Sequence, residues 1–133
     1  MKRRNRIVLA VVVILAGIIA AVFGAKLYIE AGLVKLVDTT ITNVDLTKVV
    51  DGTYEGSHKV FPVAAEVEVT VENHRITGIE LVEHSNGQGA AAEVIPDRVV
   101  EAQSLEVDTV SGATYSSKVI LKAIENALKS VNK

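Results

Sequence analysis

Residues 63–84 read "VAAEVEVTVENHRITGIELVEH", and their alternation decides the fold. Val63, Ala65, Val67, Val69 and Val71 fall on one face of an extended chain, with Glu66, Glu68, Thr70 and Glu72 on the other. A period of two marks a half-buried strand in an antiparallel sheet. "ENHR" (72–75) is the reversal, because Asn73 tolerates the left-handed backbone of a tight hairpin. "ITGIELVEH" (76–84) returns as the partner strand, rich in β-branched and aliphatic residues.

Working outward, "GTYEGSHKVF" (52–61) has turn residues at Gly52 and Gly56 around Tyr54 and predicts a short strand. On the other side, "SNGQG" (85–89) reads as a loop. In "AAAEVIPDRVVEAQ" (90–103), Ala92, Ile95, Val99 and Ala102 recur at helical spacing, and Pro96 must kink the helix or start its main part. "SLEVDTV" (104–110) predicts a further short strand. From about Tyr115 to Val131, an apolar stripe of Val119, Ile120, Ala123, Ile124, Ala127, Leu128 and Val131 predicts the best helix of the chain. Strands paired in sequence, followed by helices, indicate an α+β fold: a small antiparallel sheet packed with two helices.

Ahead of this domain lies an apolar run. Ile7–Ala25 are 19 consecutive uncharged residues, about 28 Å as a helix and close to the hydrocarbon thickness of a bilayer. Lys2, Arg3, Arg4 and Arg6 precede it, and basic residues before a first span keep that end in the cytoplasm. A cleaved signal peptide is the alternative, but its apolar region is shorter, and Phe23, two before Ala25, suits a cleavage site poorly. The expected organisation is a cytoplasmic tail at 1–6, a transmembrane anchor at 7–25, a juxtamembrane linker at 26–48 and a folded domain at 49–133. The linker starts as "KLYIEAGLVKLV" (26–37), which could extend the anchor helix, and becomes Thr-rich and polar in "DTTITNVDLTK" (38–48), which reads as a tether or a short edge strand.

From Asp38 onward there are 15 Asp and Glu against 8 Lys and Arg. That surface argues against nucleic acid or anionic lipid as the domain's ligand. The 133-residue chain has no cysteine, hence no disulfide, Fe–S cluster or thiolate metal site. Its three histidines, His58, His74 and His84, are too scattered to make a metal site.

The chemistry gathers at "DTVSGATYSSK" (108–118). Thr114 or Ser116 would serve as an N-cap for the last helix, and Gly112 permits whatever angles the entry turn needs. A cap needs one hydroxyl, however, and this stretch offers Thr109, Ser111, Thr114, Ser116 and Ser117. Gly112 and Ala113 leave the main chain approachable, and the helix adds exposed N–H groups and the positive end of its dipole. Lys118 puts a cation in the first turn, where an anion would compensate it. Together these suit a phosphate, either bound or covalently attached.

Asp108, Ser111, Gly112, Ala113, Thr114 and Ser116 fill every fixed position of a known pattern: Asp, two variable residues, Ser or Thr, Gly-Ala-Thr, a variable residue, then Ser or Thr. The stretch resembles the flavinylation motif of FMN-binding domains, a family that includes flavin-carrying components of the sodium-pumping NADH:quinone oxidoreductase and of the Rnf complex. "DGTYEGS" (51–57), "VEVTVENHRITGIELVEH" (67–84) and "EAQSLEVDTVSGATYSS" (101–117) are similar to that family in order and spacing. The resemblance implies FMN joined by a phosphoester to Thr114. The bond would be made from FAD by a separate Mg-dependent FAD:protein FMN transferase that recognises Asp108. It also makes His84 a neighbour of the flavin ring. Where many relatives carry a glycine-rich aromatic segment, this chain reads "SHKVFPVAAEV" (57–67).

The reading is therefore a membrane-anchored, extracytoplasmic electron carrier, not an enzyme by itself. It would receive electrons from a membrane donor such as an NADH or quinone dehydrogenase system. Cofactor-binding residues are Thr114, Ser111, Gly112, Ala113, Ser116, Lys118 and His84. Two alternatives stand beside it: a reductase domain that binds FMN without a covalent bond, and a flavin-free protein-interaction adaptor. For His84, a solvent-facing strand end is the plain alternative. Asn86, Gly87 and Gly89 either cover the flavin or form an ordinary loop, and Glu66, Glu68 and Glu72 read as a solvated strand face.

Overall fold

A computed structural model describes residues 2–37, 39–85 and 90–130. The chain divides into two compact units, residues 1–32 and 33–133. The first is helical, part of α1 (Lys2–Val37), whose 18-residue apolar window has a mean hydropathy of 3.1. That helix is long and apolar enough to cross a membrane.

The second unit is the α+β body. Strands β1 (Gly52–Val60), β2 (Val63–Glu72) and β3 (Arg75–Ser85) form an antiparallel sheet in the order β1-β2-β3. The alternation predicted for β2 holds: Val63, Ala65, Val67, Val69 and Val71 are buried, while Glu66, Glu68 and Thr70 are half-buried and Glu72 is exposed on the opposite face. Asn73 and His74 both take positive φ, 52° and 62°, in the β2–β3 turn. The Asp51 carboxylate accepts from the Asn73 N–H at 2.9 Å and pins that turn.

Helix α2 (Ile95–Ala102) begins with Pro96 in its first turn, so the proline starts the helix instead of kinking it. It ends at Gln103 in the left-handed region, φ 51°. The Gln103 amide accepts from Ile76 N–H at 2.8 Å and donates to the Ile76 carbonyl at 2.8 Å. It pairs the edge of β3 as a neighbouring strand would. Residues 104–110, expected as a short strand, form none: the edge they would have joined is bonded at Ile76 by that side chain.

Helix α3 (Thr114–Lys129) crosses the inner face of β1 and β2. Its stripe of Val119, Ile120, Ala123, Ile124, Ala127 and Leu128 is buried as expected; Val131 lies outside the described residues. Gly56 is why the helix sits so close. A Cβ there would overlap the Ala123 carbonyl oxygen and the Ala127 backbone nitrogen. Asn126 fastens the same contact, donating to the Ser57 carbonyl at 2.9 Å.

Residues 39–51 also lie against this body. Ile41, Val44 and Leu46 pack on the core, and Asn43 Oδ1 accepts from Leu105 N–H at 3.1 Å. A 3-10 turn, Leu46–Lys48, is capped by Asp45, whose carboxylate accepts from the Thr47 N–H and hydroxyl.

Candidate functional site

The stretch before α3 is a tight turn. Ala113 N–H donates to the Val110 carbonyl at 2.9 Å, and Gly112, at φ 80°, occupies the position where a type II turn requires positive φ. Ala113 is the N-cap and Thr114 the first residue of the helix. Neither Thr114 nor Ser116 caps α3, contrary to the simplest reading of those hydroxyls: the N-cap position falls on Ala113, and no side-chain cap bond forms. The helix N-terminus therefore keeps first-turn N–H groups that no side chain satisfies.

Ser117 holds this arrangement instead. Buried, it donates its hydroxyl to the Ala113 carbonyl at 2.7 Å and accepts from Val110 N–H at 3.0 Å. One side chain thus ties the turn to the helix it precedes. Ser111 and Gly112 are exposed, Thr114 is half-buried, and Ala113 and Ser116 are buried. The accessible groups of the motif are therefore the Ser111–Gly112 backbone and the Thr114 side chain.

Asp108 is exposed, and its carbonyl lies 3.4 Å from Arg98 Nη1 of α2. Arg98, Glu101, Glu106 and Asp108 line a hollow of about 490 Å³ between α2 and the irregular segment that leads to the motif. Lys118 Nζ lies 3.4 Å from the Thr39 carbonyl, so its ammonium has a backbone partner in the segment packed before β1. Asn86, Gly87 and Gly89 lie outside the described residues.

His84 does not face solvent; its side chain is only 2% exposed. It stands opposite Ala65 in the sheet register, and Ala65 stands opposite His58, so all three share the helix-covered face. Its Nδ1 is 3.2 Å from Glu93 Oε1, in the 3-10 turn Ala90–Val94 that packs on α3. Its Nε2 is buried with no hydrogen-bond partner among the described residues. Sequence reading missed Glu93, since one carboxylate in "AAAEV" carries no periodic or motif signal. A buried ring nitrogen without a partner can take a hydrogen bond from a ligand, and an uncapped helix N-terminus can take a phosphate.

Burial of charge elsewhere is structural. Glu125 on α3 is fully buried, bonded by Lys122 at 2.9 Å and by Lys129. Burial pushes its carboxyl up, but the hydrogen bonds from Lys129 and Lys122 outweigh this and hold it below the usual carboxylate range. Burial, with the nearby Lys122, holds the His58 imidazole below its usual value. His74, in the hairpin, contacts the Leu46 carbonyl at 3.2 Å. Among the described residues no group of three or more His, Asp or Glu is placed to hold a metal.

An uncharacterized protein of Treponema pallidum (strain Nichols) is 35% identical over 82 residues, which cover 59% of this chain and 23% of that protein. The chain thus spans about a quarter of the length of that relative. A family model for the FMN-binding domain matches residues 63–129, from the first residue of β2 to the last of α3 and half of the chain. Strands β2 and β3, the turn at Gly112 and the helix it opens all lie within that match: the chain belongs to the FMN-binding domain family.

Proposed function

We propose that this protein is a membrane-anchored electron carrier with FMN joined by a phosphoester to Thr114. The observation that carries the reading is the entry to α3. A half-buried threonine hydroxyl, free of capping duty, stands at the first position of a helix whose N-terminal N–H groups no side chain satisfies. Those N–H groups and the helix dipole stabilise the negative phosphate diester beside them. Gly112 and Ala113 give the phosphate access to the backbone.

Attachment needs no cofactor chemistry from this chain. The Thr114 hydroxyl oxygen bonds to the flavin-side phosphorus of FAD, the pyrophosphate P–O bond breaks, AMP leaves, and the hydroxyl proton is released to base or solvent. A separate Mg-dependent FAD:protein FMN transferase performs the step and reads Asp108, which is exposed before the turn. Ser117 keeps the turn in register for it.

Bound FMN supplies one- and two-electron transfer, and the protein supplies position and electrostatics. Lys2, Arg3, Arg4 and Arg6 hold the amino end in the cytoplasm, which puts the domain on the outer face. There a covalent bond prevents loss of the flavin to bulk solvent. The donor is a membrane NADH or quinone dehydrogenase system, and the acidic surface steers positively charged partners.

The test is to express the full chain with a flavin transferase and run it on a denaturing gel under ultraviolet light. A fluorescent band of the chain's size supports the carrier. A dark band, from a transferase that labels a known substrate, overturns the covalent reading. Flavin released on denaturation would then point to non-covalent FMN, and a chain lacking flavin throughout to an adaptor.

A further inference from the structure

Glu93 and His84 form a pair that the flavin motif does not contain. Glu93 is half-exposed, and its carboxylate only accepts hydrogen bonds when ionised; the 3.2 Å contact therefore makes His84 Nδ1 the donor. In a neutral imidazole, that fixes Nε2 as a bare lone pair. Nε2 is buried on the helix-covered side of the sheet and has no partner among the described residues. A buried acceptor without a donor is costly, and the pairing with Glu93 holds the ring in the orientation that creates it.

From this we infer that Glu93 is a positioning residue: it locks His84 as the Nδ1–H tautomer, so that Nε2 accepts a hydrogen bond from the imide N–H of the isoalloxazine ring. The inference rests on the function proposed above. Oxidised isoalloxazine has one N–H, its imide, and a bare imidazole nitrogen complements it whereas an N–H would repel it. Glu93 acts on the cofactor through His84 and touches no flavin itself. The 3-10 turn that carries it packs on α3, the helix that begins at Thr114, so one element links the ring's partner to the phosphate's.

The experiment uses the full chain in detergent, labelled with 15N-histidine, at pH 8, with and without FMN loaded by a transferase. The His84→Gln variant assigns the His84 resonances among the three histidines. The expected result is a protonated Nδ1 and a bare Nε2 in the unloaded chain, with an upfield movement of Nε2 on FMN loading. In Glu93→Leu, the Nδ1–H preference and that movement are both lost, while the flavin bound per chain, read by intact mass, stays the same. A protonated Nε2 in the unloaded wild type, or an Nε2 resonance indifferent to loading, overturns the inference. If Glu93→Leu does not fold, the wild-type comparison decides alone. A chain whose mass shows no FMN after loading overturns the function on which this rests, and the unloaded tautomer then still decides whether Glu93 orients the ring.

Discussion

The hydroxyl of Ser117 accepts from the backbone N–H of Val110 at 3.0 Å, across the turn that opens α3. The same oxygen donates to the Ala113 carbonyl, so the loop before the helix and the helix's first turn share one buried clasp. The geometry presented at Thr114 depends on a residue three positions further along the helix.

Ser117→Ala removes both bonds and leaves the Val110 N–H without its partner. The expected loss is about 1–3 kcal/mol, the usual cost of orphaning a buried polar group. Urea unfolding of the full chain in detergent measures it. Flavin incorporation should also fall, because the turn loses its register. Unchanged stability would mean that the clasp does not form in solution.

Gly56→Ala should be more severe. Its Cβ would overlap the Ala123 carbonyl and the Ala127 nitrogen, which are helix backbone and cannot yield as a side chain tip does. Overpacking of this kind costs about 1–3 kcal/mol or more. A thermal unfolding midpoint equal to the wild type would contradict the close approach of β1 and α3.

Acid should destabilise the domain in two steps of the same sign. His58 has a lowered folded pKa, so the unfolded chain binds the extra proton first, and stability declines as pH drops below the ordinary histidine range. Glu125 has a lowered folded pKa too; its contribution is present above the ordinary carboxylate value and is lost as pH falls through the folded one. Glu125→Gln should flatten the lower step and keep the upper one. Equal acid sensitivity in that variant would remove Glu125 as its source.

Much of this architecture is legible in the sequence. Strand β2 declares itself because Val63 to Val71 bury every second residue, and the stripe of α3 because its apolar spacing matches the helix. Side chains that replace backbone leave no such pattern. Residues 104–110 look strand-like, yet Gln103 bonds the β3 edge at Ile76 that they would have paired. Capping misleads for a related reason. Thr114 and Ser116 have capping chemistry, but the turn at Gly112 places Ala113 at the N-cap and leaves Ser117 to hold the turn. Glu93 is invisible in the sequence because its contact is with a histidine nine residues away whose ring nitrogen only the fold buries.

Gln103→Ala follows from the same point. It removes the two bonds at Ile76 and the one to the Val100 carbonyl, so the edge of β3 loses its mimic of a neighbouring strand. A loss of about 1–3 kcal/mol is expected, with faster amide exchange at Ile76. Exchange at Ile76 as slow as in the wild type would show that the edge is protected by something else.

The bond at Thr114 is central to the proposed function, and peptide mapping by tandem mass spectrometry tests it most directly. The full chain would be produced with the transferase, digested, and the peptide spanning residues 108–118 fragmented. The expected result is an added mass of FMN less one water, located on Thr114 and absent from Thr114→Val. FMN located on Ser111 or Ser116, or attached in the Thr114→Val chain, would contradict it.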